Sequence, residues 1–449
     1  MVAGPIRDDE IPSIFAYLMG APAVALAVSG GADSVALTHL AARWREVASG
    51  VLPEIVVVTV DHGLRPGAAA EARWVGELAR SHGFRHATLP WEASKPQSGI
   101  EALARAARYD LIASFCHQHA IPYLATAHHL DDQAETVLMR LARGSGVDGL
   151  AAIPRLSHWA GISIARPLLD QPKSRLLATL EAAGQDWLED PSNETDQFER
   201  NRIRRAMTQL EQLGFSAERL ALTARRMRRA QDALEAATDE FLKTAVTLYD
   251  TGHCVVGLGQ FSNATSEIAL RGLRRALAAI GGGTEPVRLR KLEKLIDVLD
   301  RPGKGVARTL AGCRIAVSGG LIRITREKGR IGFPELTLAP GESRIWDRRF
   351  KVSVSSRAAA ALTVRALGGD NFARLRRDHL QTGTWPSEIG SGLVSFWRGR
   401  DLVSVPHLGY SSETDRHHDG TYPQGGGHCG AQFVNAALLA QEDTVTARG

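Results

Sequence analysis

Cysteine is scarce in this chain. Cys116, Cys254, Cys313 and Cys429 are the only four in 449 residues, and no two form a CxxC pair. Neither a disulfide framework nor a zinc ribbon is suggested, and a reducing, cytoplasmic location is expected. Long apolar runs are missing as well. No stretch approaches the roughly 18 consecutive apolar residues of a membrane span, and Asp8, Asp9 and Glu10 precede any apolar segment. Neither a membrane partner nor a secretory signal is expected. The pattern GxxxxGK[ST] occurs nowhere, which disfavours a P-loop kinase or ATPase, and no repeat appears at solenoid periods. Charge of one sign is only slightly in excess, 54 Lys plus Arg against 49 Asp plus Glu. A net charge of +5 permits a polyanionic partner without requiring one, because binding depends on where the cations cluster.

What is present is ordinary globular material: 44% hydrophobic and 23% charged residues, which excludes a disordered or fibrous chain. The length implies two to four domains. In the first half, apolar Ala21 to Val28 and β-branched Glu54 to Val60 read as strands, with weaker strands at His86 to Leu89 and Pro122 to Ala127. Helical patterns follow them from Asp33, from Ala70 to His82, from Gly99 to His119 and from Asp131 to Arg143. Repeated strand–helix units of this size predict an α/β fold with a doubly wound parallel sheet, whose ligands sit beyond the carboxyl ends of the strands. After about residue 215 long helices dominate, roughly Ala217 to Tyr249, Asn263 to Ile280 and Pro286 to Leu299, and short strands follow around Thr309 to Thr325. A small mixed α/β or β-rich module follows from about Phe333. The expected domains are 1–212, catalytic; 213–330, helical and accessory; and 331–449, a small module with a poorly structured tail.

Four motifs carry chemistry. Ser29-Gly30-Gly31-Ala32-Asp33-Ser34 lies between a strand and a helix. Its glycines let the backbone curl so that successive N–H groups and the helix start face an anion, with serine hydroxyls as further donors. His128-His129-Leu130-Asp131-Asp132-Gln133-Ala134-Glu135 begins at a strand end and enters a helix; Asp131 is expected to cap that helix, and a zinc site is disfavoured because its ligands would crowd one turn. Glu101, Arg105 and Arg108 share one helical face, either an ion-paired solvated face or part of a site. Trp187 to Asn193 is an acidic turn followed by Arg200, Asn201, Arg202 and Arg204. A fifth string, Gly144 to Gly149, spells GxGxxG but follows a helix rather than a strand, so a Rossmann site is rejected.

The hexapeptide resembles the SGGxDS loop of the N-type ATP pyrophosphatases, the PP-loop superfamily, which cleave ATP to AMP and pyrophosphate while adenylating a substrate oxygen. The four motifs in this order, with Arg143-Gly144-Ser145-Gly146 and Arg166-Pro167-Leu168-Leu169, resemble the tRNA(Ile)-lysidine synthetases over roughly residues 21–205. That resemblance implies an adenine nucleotide α-hydrolase-like fold and a ligase that joins lysine to C2 of the wobble cytidine of the CAU-anticodon isoleucine tRNA. ATP and Mg²⁺ are the implied cofactors, and the tRNA and free L-lysine the implied partners; members of the family are dimers or monomers, so a homodimer stays open. By motif position it implies Ser29, Gly30, Gly31, Ala32, Asp33 and Ser34 around pyrophosphate, with Asp33 on magnesium. Asp61, His62 and Arg65 lie near the nucleotide. Arg105 and Arg108 act on phosphates or the cytidine, Asp132 and Glu135 on lysine, and Arg200 and Asn201 close the site.

Nine arginines between positions 200 and 229 face only Glu211 and Glu218 in sequence, and Arg271, Arg274, Arg275, Arg288, Arg290, Lys291 and Lys294 form a second basic group. Such runs are either solvated helix faces or phosphate-tracking surfaces; after an enzyme domain resembling this family, RNA contact is the expected reading. Two competing functions remain: another PP-loop enzyme, such as a tRNA thiolase or an amidating synthetase, and a non-catalytic RNA-binding scaffold. The lack of CxxC weighs against the thiolase, and intact Asp33, Asp132 and Arg200 weigh against the scaffold.

Overall fold

Short runs of small and β-branched residues build a six-stranded sheet from β1 (Ala23–Ala27), β2 (Glu54–Asp61), β3 (Arg85–Pro90), β4 (Tyr123–Ala125), β5 (Leu156–Trp159) and β6 (Ile162–Ala165), in the order β3-β2-β1-β4-β6-β5. The computed structural model describes residues 4–61, 63, 67–91, 100–189, 199–283, 287–299, 306–329, 332–378, 386–412 and 429–435. Among them no helix is long and apolar enough to cross a membrane. The chain divides into two units, 1–231 and 232–449, each with its own apolar clusters.

The helices of the first unit are α1 (Ile11–Phe15), α2 (Ala32–Val47), α3 (Ala68–Ser81), α4 (Ile100–Gln118), α5 (Leu130–Ala142), α6 (Val147–Leu150), α7 (Lys173–Ala182), α8 (Glu199–Gln212) and α9 (Ala217–Ala245), the last containing the point of division. Period-two alternation along the strands fills both faces. Val24, Leu26, Ile55 and Val57 pack with Phe15, Val35, Trp44, Leu78 and Leu180. Ala23, Ala25, Val56 and Val58 pack on the other side with Tyr109, Ile112 and Cys116 of α4. Doubly wound packing follows directly, because a sheet apolar on both sides must be covered on both sides.

One edge departs from the expected all-parallel sheet. β5 runs antiparallel to β6, joined by Ala160 at φ +45° and Gly161 at φ +83°. A two-residue turn of this hand matches the twist of a hairpin and needs positive φ at both positions. Alanine gives little sequence signal for that geometry.

In the second unit the helix expected to reach Tyr249 ends at Ala245, and the strands Val246–Tyr249 and His253–Gly257 form a hairpin. The Val-Thr-Leu-Tyr run favours a strand, and Gly252, at φ +74°, makes the return. This hairpin joins Ala307–Leu310, Cys313–Ser318 and Leu321–Arg326 in a five-stranded sheet, the last three being the short strands expected around Thr309 to Thr325. Two further sheets, of five and three strands, lie between Leu336 and Phe433. Cys254, Leu277, Ile324, Trp346 and Phe396, from across the unit, share one apolar cluster. Cys116, Cys254 and Cys313 are all buried.

The second basic group splits on inspection. Arg271 is 1% exposed and pairs with Glu235 and Glu267, and Arg275 pairs with Asp239 at 2.5 Å. These two arginines are internal ion pairs rather than an RNA surface. Arg288, Arg290, Lys291 and Lys294, on or beside the helix Leu289–Leu299, are exposed.

Candidate active site

The sheet order reverses between β1 and β4, the strands that lead into the first two motifs. A crevice opens at the carboxyl ends of strands where the winding direction changes. The loop Ser29–Gly31 leaves β1 there and runs into α2, and His128–Leu130 leaves β4 and runs into α5. Two separate stretches of sequence are thereby brought to one rim.

The first loop is stitched from within. Ser34 Oγ donates to the Gly31 carbonyl at 2.9 Å and accepts the Ser29 N–H at 3.2 Å. Ser34 is buried, so its hydroxyl shapes the loop, while Ser29 is exposed. Gly30 sits at φ +92° under a lid: an added Cβ would lie 2.7 Å from Leu188 Cδ1, and the Leu188 N–H donates to the Gly30 carbonyl at 2.9 Å. Gly30→Ala combines a steric clash with a left-handed backbone. It is expected to cost about 1–3 kcal/mol of stability and to raise the half-saturating ATP concentration about tenfold, measured by thermal unfolding and nucleotide titration; an unchanged ATP titration would show that the lid contact is incidental.

Asp33 stands in the first turn of α2. Its Oδ2 faces His129 Nε2 at 3.5 Å and Lys173 Nζ at 3.6 Å, whereas Oδ1 is buried with no hydrogen-bond partner. Burial would raise the Asp33 pKa, but His129 and then Lys173 and Arg204 outweigh it and hold it below the usual carboxylate value. His129 is 1% exposed and also faces Asp131 Oδ2 at 3.4 Å and Asp132 Oδ2 at 3.6 Å. These separations exceed a good N–H···O bond and act as charge contacts. Burial pulls the imidazole pKa down, yet Asp131, Asp33 and Asp132 together drive it up to about 10. His129 is therefore a buried cation joining the carboxylate of the first loop to those of the second.

Asp132 also closes the start of α5, accepting the His129 N–H at 3.0 Å on Oδ2 in a capping box. Its Oδ1 accepts from Arg200 Nη2 at 2.5 Å. Arg200 Nε reaches Glu135, and Arg204 Nε reaches the other Glu135 oxygen at 2.5 Å. Glu135 and Asp132 are 4% and 10% exposed. A buried acidic pair tolerates that burial only when countercharges and hydrogen bonds complete it, and α8 brings two guanidinium groups one helical turn apart to do so.

Asp33, Asp132, Glu135 and Arg200 are thus linked through shared contacts. Asp61 ends β2 and accepts the Gly63 N–H at 2.9 Å. Arg108 is exposed on α4, and Asn201 is half-buried on α8. His62, Arg65, the side chain of Arg105 and the acidic turn from Asp190 to Phe198 lie outside the described residues. Sequence reasoning gave no individual role to His129, Lys173 or Arg204. The spacing of Arg200 and Arg204 held the signal for the last; Lys173 had none beyond its place after the Arg166 to Leu169 segment.

The basic run after residue 200 is also partly spent internally. Besides Arg200 and Arg204, Arg228 donates to the carbonyls of Ala151 and Ala152, Arg219 to that of Gly214, and Arg225 reaches Asp170 at 3.5 Å. Arg202, Arg205, Arg226 and Arg229 of the run are exposed.

A family model described as a PP-loop domain matches residues 8–211. A tRNA(Ile)-lysidine synthase from Bradyrhizobium diazoefficiens is 43% identical over 352 residues, covering 73% of this chain and 96% of the relative. One from Rhodopseudomonas palustris is 45% identical over 338 residues, 73% and 97% of the two chains. A third, from Ruegeria pomeroyi, is 37% identical over 388 residues, 86% and 89%.

Proposed function

Since the chain belongs to the tRNA(Ile)-lysidine synthase family, with a PP-loop domain in its first half, we propose how its residues divide the reaction. The enzyme is a ligase that forms a carbon–nitrogen bond, building lysidine on tRNA(Ile) after ATP-dependent adenylation. The base modified is the wobble cytidine of the CAU anticodon, and the change moves decoding from AUG to AUA and charging from methionine to isoleucine. A thiolase is not favoured by these relatives.

The chemistry sets two demands. A cytosine C2 carbonyl oxygen leaves poorly, so the oxygen is first adenylated with loss of pyrophosphate; the lysine amine then attacks C2 and expels AMP. Positive charge must meet the transferring phosphate, and a carboxylate must hold or deprotonate the incoming amine.

The PP-loop amides with Ser29 face the pyrophosphate. Asp33 holds magnesium: its buried, unpartnered Oδ1 suits a hard cation, and this ion ordinarily takes one or two carboxylates plus substrate phosphates rather than a protein cage. When bound, magnesium would neutralise charge on the phosphate oxygens. Asp61 and His62 lie toward the nucleotide, and Arg105 and Arg108 toward phosphates or the cytidine. Asp132 and Glu135 receive the ammonium of free L-lysine in exchange for part of their guanidinium contacts, with Arg200 and Asn201 closing over the substrates. Residues 1–212 carry catalysis, 213–330 bind tRNA through exposed cations such as Arg226, Arg229 and Lys294, and 331–449 form an accessory module.

One observation carries this reading: His129 lies 3.5 Å from the PP-loop aspartate and 3.6 Å from the aspartate assigned to lysine, so the two half-reactions share a wall. Incubation with ATP, magnesium, labelled lysine and total tRNA should place label in a modified cytidine, with AMP and pyrophosphate formed in equal amount. AMP formation without labelled nucleoside would refute it.

A further inference from the structure

Pyrophosphate gathers negative charge as it leaves, yet the loop that would cradle it has no cation. Ser29 to Ser34 contains one ionisable side chain, Asp33, and it is an anion. Amide dipoles supply partial charges only, and P-loop enzymes add a lysine for this purpose. Beside magnesium and the arginines of α4, a side-chain cation from another element can meet that charge at the loop. His129 is sealed at 1% exposure, and Arg200 and Arg204 are engaged by Asp132 and Glu135. Among the described residues Lys173 is set against the loop itself: its side chain is 40% exposed, and its Nζ lies 3.6 Å from Asp33 Oδ2.

We propose that Lys173 neutralises the pyrophosphate leaving group in the adenylation step, an inference that rests on the ligase reading above. Its main chain is fixed where this requires. The Lys173 N–H donates to Asp131 Oδ2 at 2.8 Å, and Asp131 in turn faces the buried His129 at 3.4 Å. The first residue of α7 is thereby tied to the start of α5, while the side chain keeps four rotatable methylenes. Its pairing with Asp33 is long and solvent-accessible, the kind of contact worth little and readily exchanged. A divalent cation on Asp33 removes the attraction that holds the ammonium there, and the nearest developing anion is the phosphate on the loop. Electron flow is unchanged by the lysine: the α-phosphorus–oxygen bond to pyrophosphate breaks, the cytidine O2–phosphorus bond forms, and the ammonium meets the charge left on the departing oxygen.

Lys173→Gln and Lys173→Arg test this in the full chain with inorganic pyrophosphate as the probe and magnesium present. Lys173→Gln is expected to weaken pyrophosphate binding, and to slow tRNA-dependent pyrophosphate release, each by about thirtyfold, the effect of losing one charged hydrogen bond. The KM for lysine should stay within about twofold, and Lys173→Arg should recover most of the binding. If Lys173 serves only to balance Asp33, Lys173→Gln will leave pyrophosphate affinity unchanged and lower the magnesium concentration needed for half-saturation; that pattern overturns the proposal. Should Lys173→Gln fold poorly, Lys173→Arg with pyrophosphate affinity lost in a normally folded protein also overturns it. Wild-type protein that binds pyrophosphate but forms none with tRNA would refute the ligase reading, and the comparison of pyrophosphate affinities would still decide the role of Lys173.

Discussion

Replacing Asp33 with Asn is expected to slow tRNA-dependent pyrophosphate release by about a thousandfold, the upper range for removing one preorganised electrostatic contact to a transition state. The substitution keeps the shape and the His129 contact distance but removes the charge that draws magnesium. Asp33 is poised to be sensitive: Oδ2 is shared by His129 and Lys173, and Oδ1 is buried without a partner. Binding of tRNA should be little changed, because the exposed arginines of α8 and α9 do not pass through this carboxylate. Rapid-quench measurement of pyrophosphate, with a filter-binding assay for tRNA, separates the two. A loss of less than about tenfold would remove Asp33 from the metal role.

The second large effect is expected on lysine. Asp132→Asn should raise the KM for lysine by about a hundredfold, the upper part of the 1.5–3 kcal/mol attached to a hydrogen bond with a charged group. Asparagine can still accept the His129 N–H, so the start of α5 is preserved, while its amide NH₂ meets Arg200 in place of a carboxylate oxygen and some stability is lost. Arg200 keeps Glu135 as a partner. Adenylation without lysine should proceed at the wild-type rate. An unchanged lysine dependence would mean that the acidic pair exists to anchor α8 and that the amine binds elsewhere.

Sequence pattern carried the catalytic half of the fold because its signals are local. Ile55 to Val60 is β-branched along its whole length, and the turn after β1 announces itself through two glycines. The hairpin at Ala160-Gly161 was illegible since alanine rarely takes positive φ, and the strand at Val246 was hidden behind a 29-residue helix that supplies no terminating glycine or proline. The site followed the same rule. Asp33, Asp132 and Glu135 lay in recognisable strings, but their cohesion depends on His129, Lys173 and Arg204, whose roles exist only once two strands and four helices are assembled. Charge counting misled most where cations pair internally: Arg271 and Arg275 look like an RNA surface in one dimension and are the lining of a helix contact in three.

A thiol reacts through its thiolate, and burial pushes Cys116 up to about 11 and Cys313 up to about 12, with Cys254 raised further by the same burial and by Cys313 beside it. Cys116 is the one cysteine of the unit that holds the site, and it points from α4 into the apolar layer against the sheet. It serves as volume, much as a valine would. A thiol-alkylating agent is therefore expected to leave Cys116 unmodified in the folded protein.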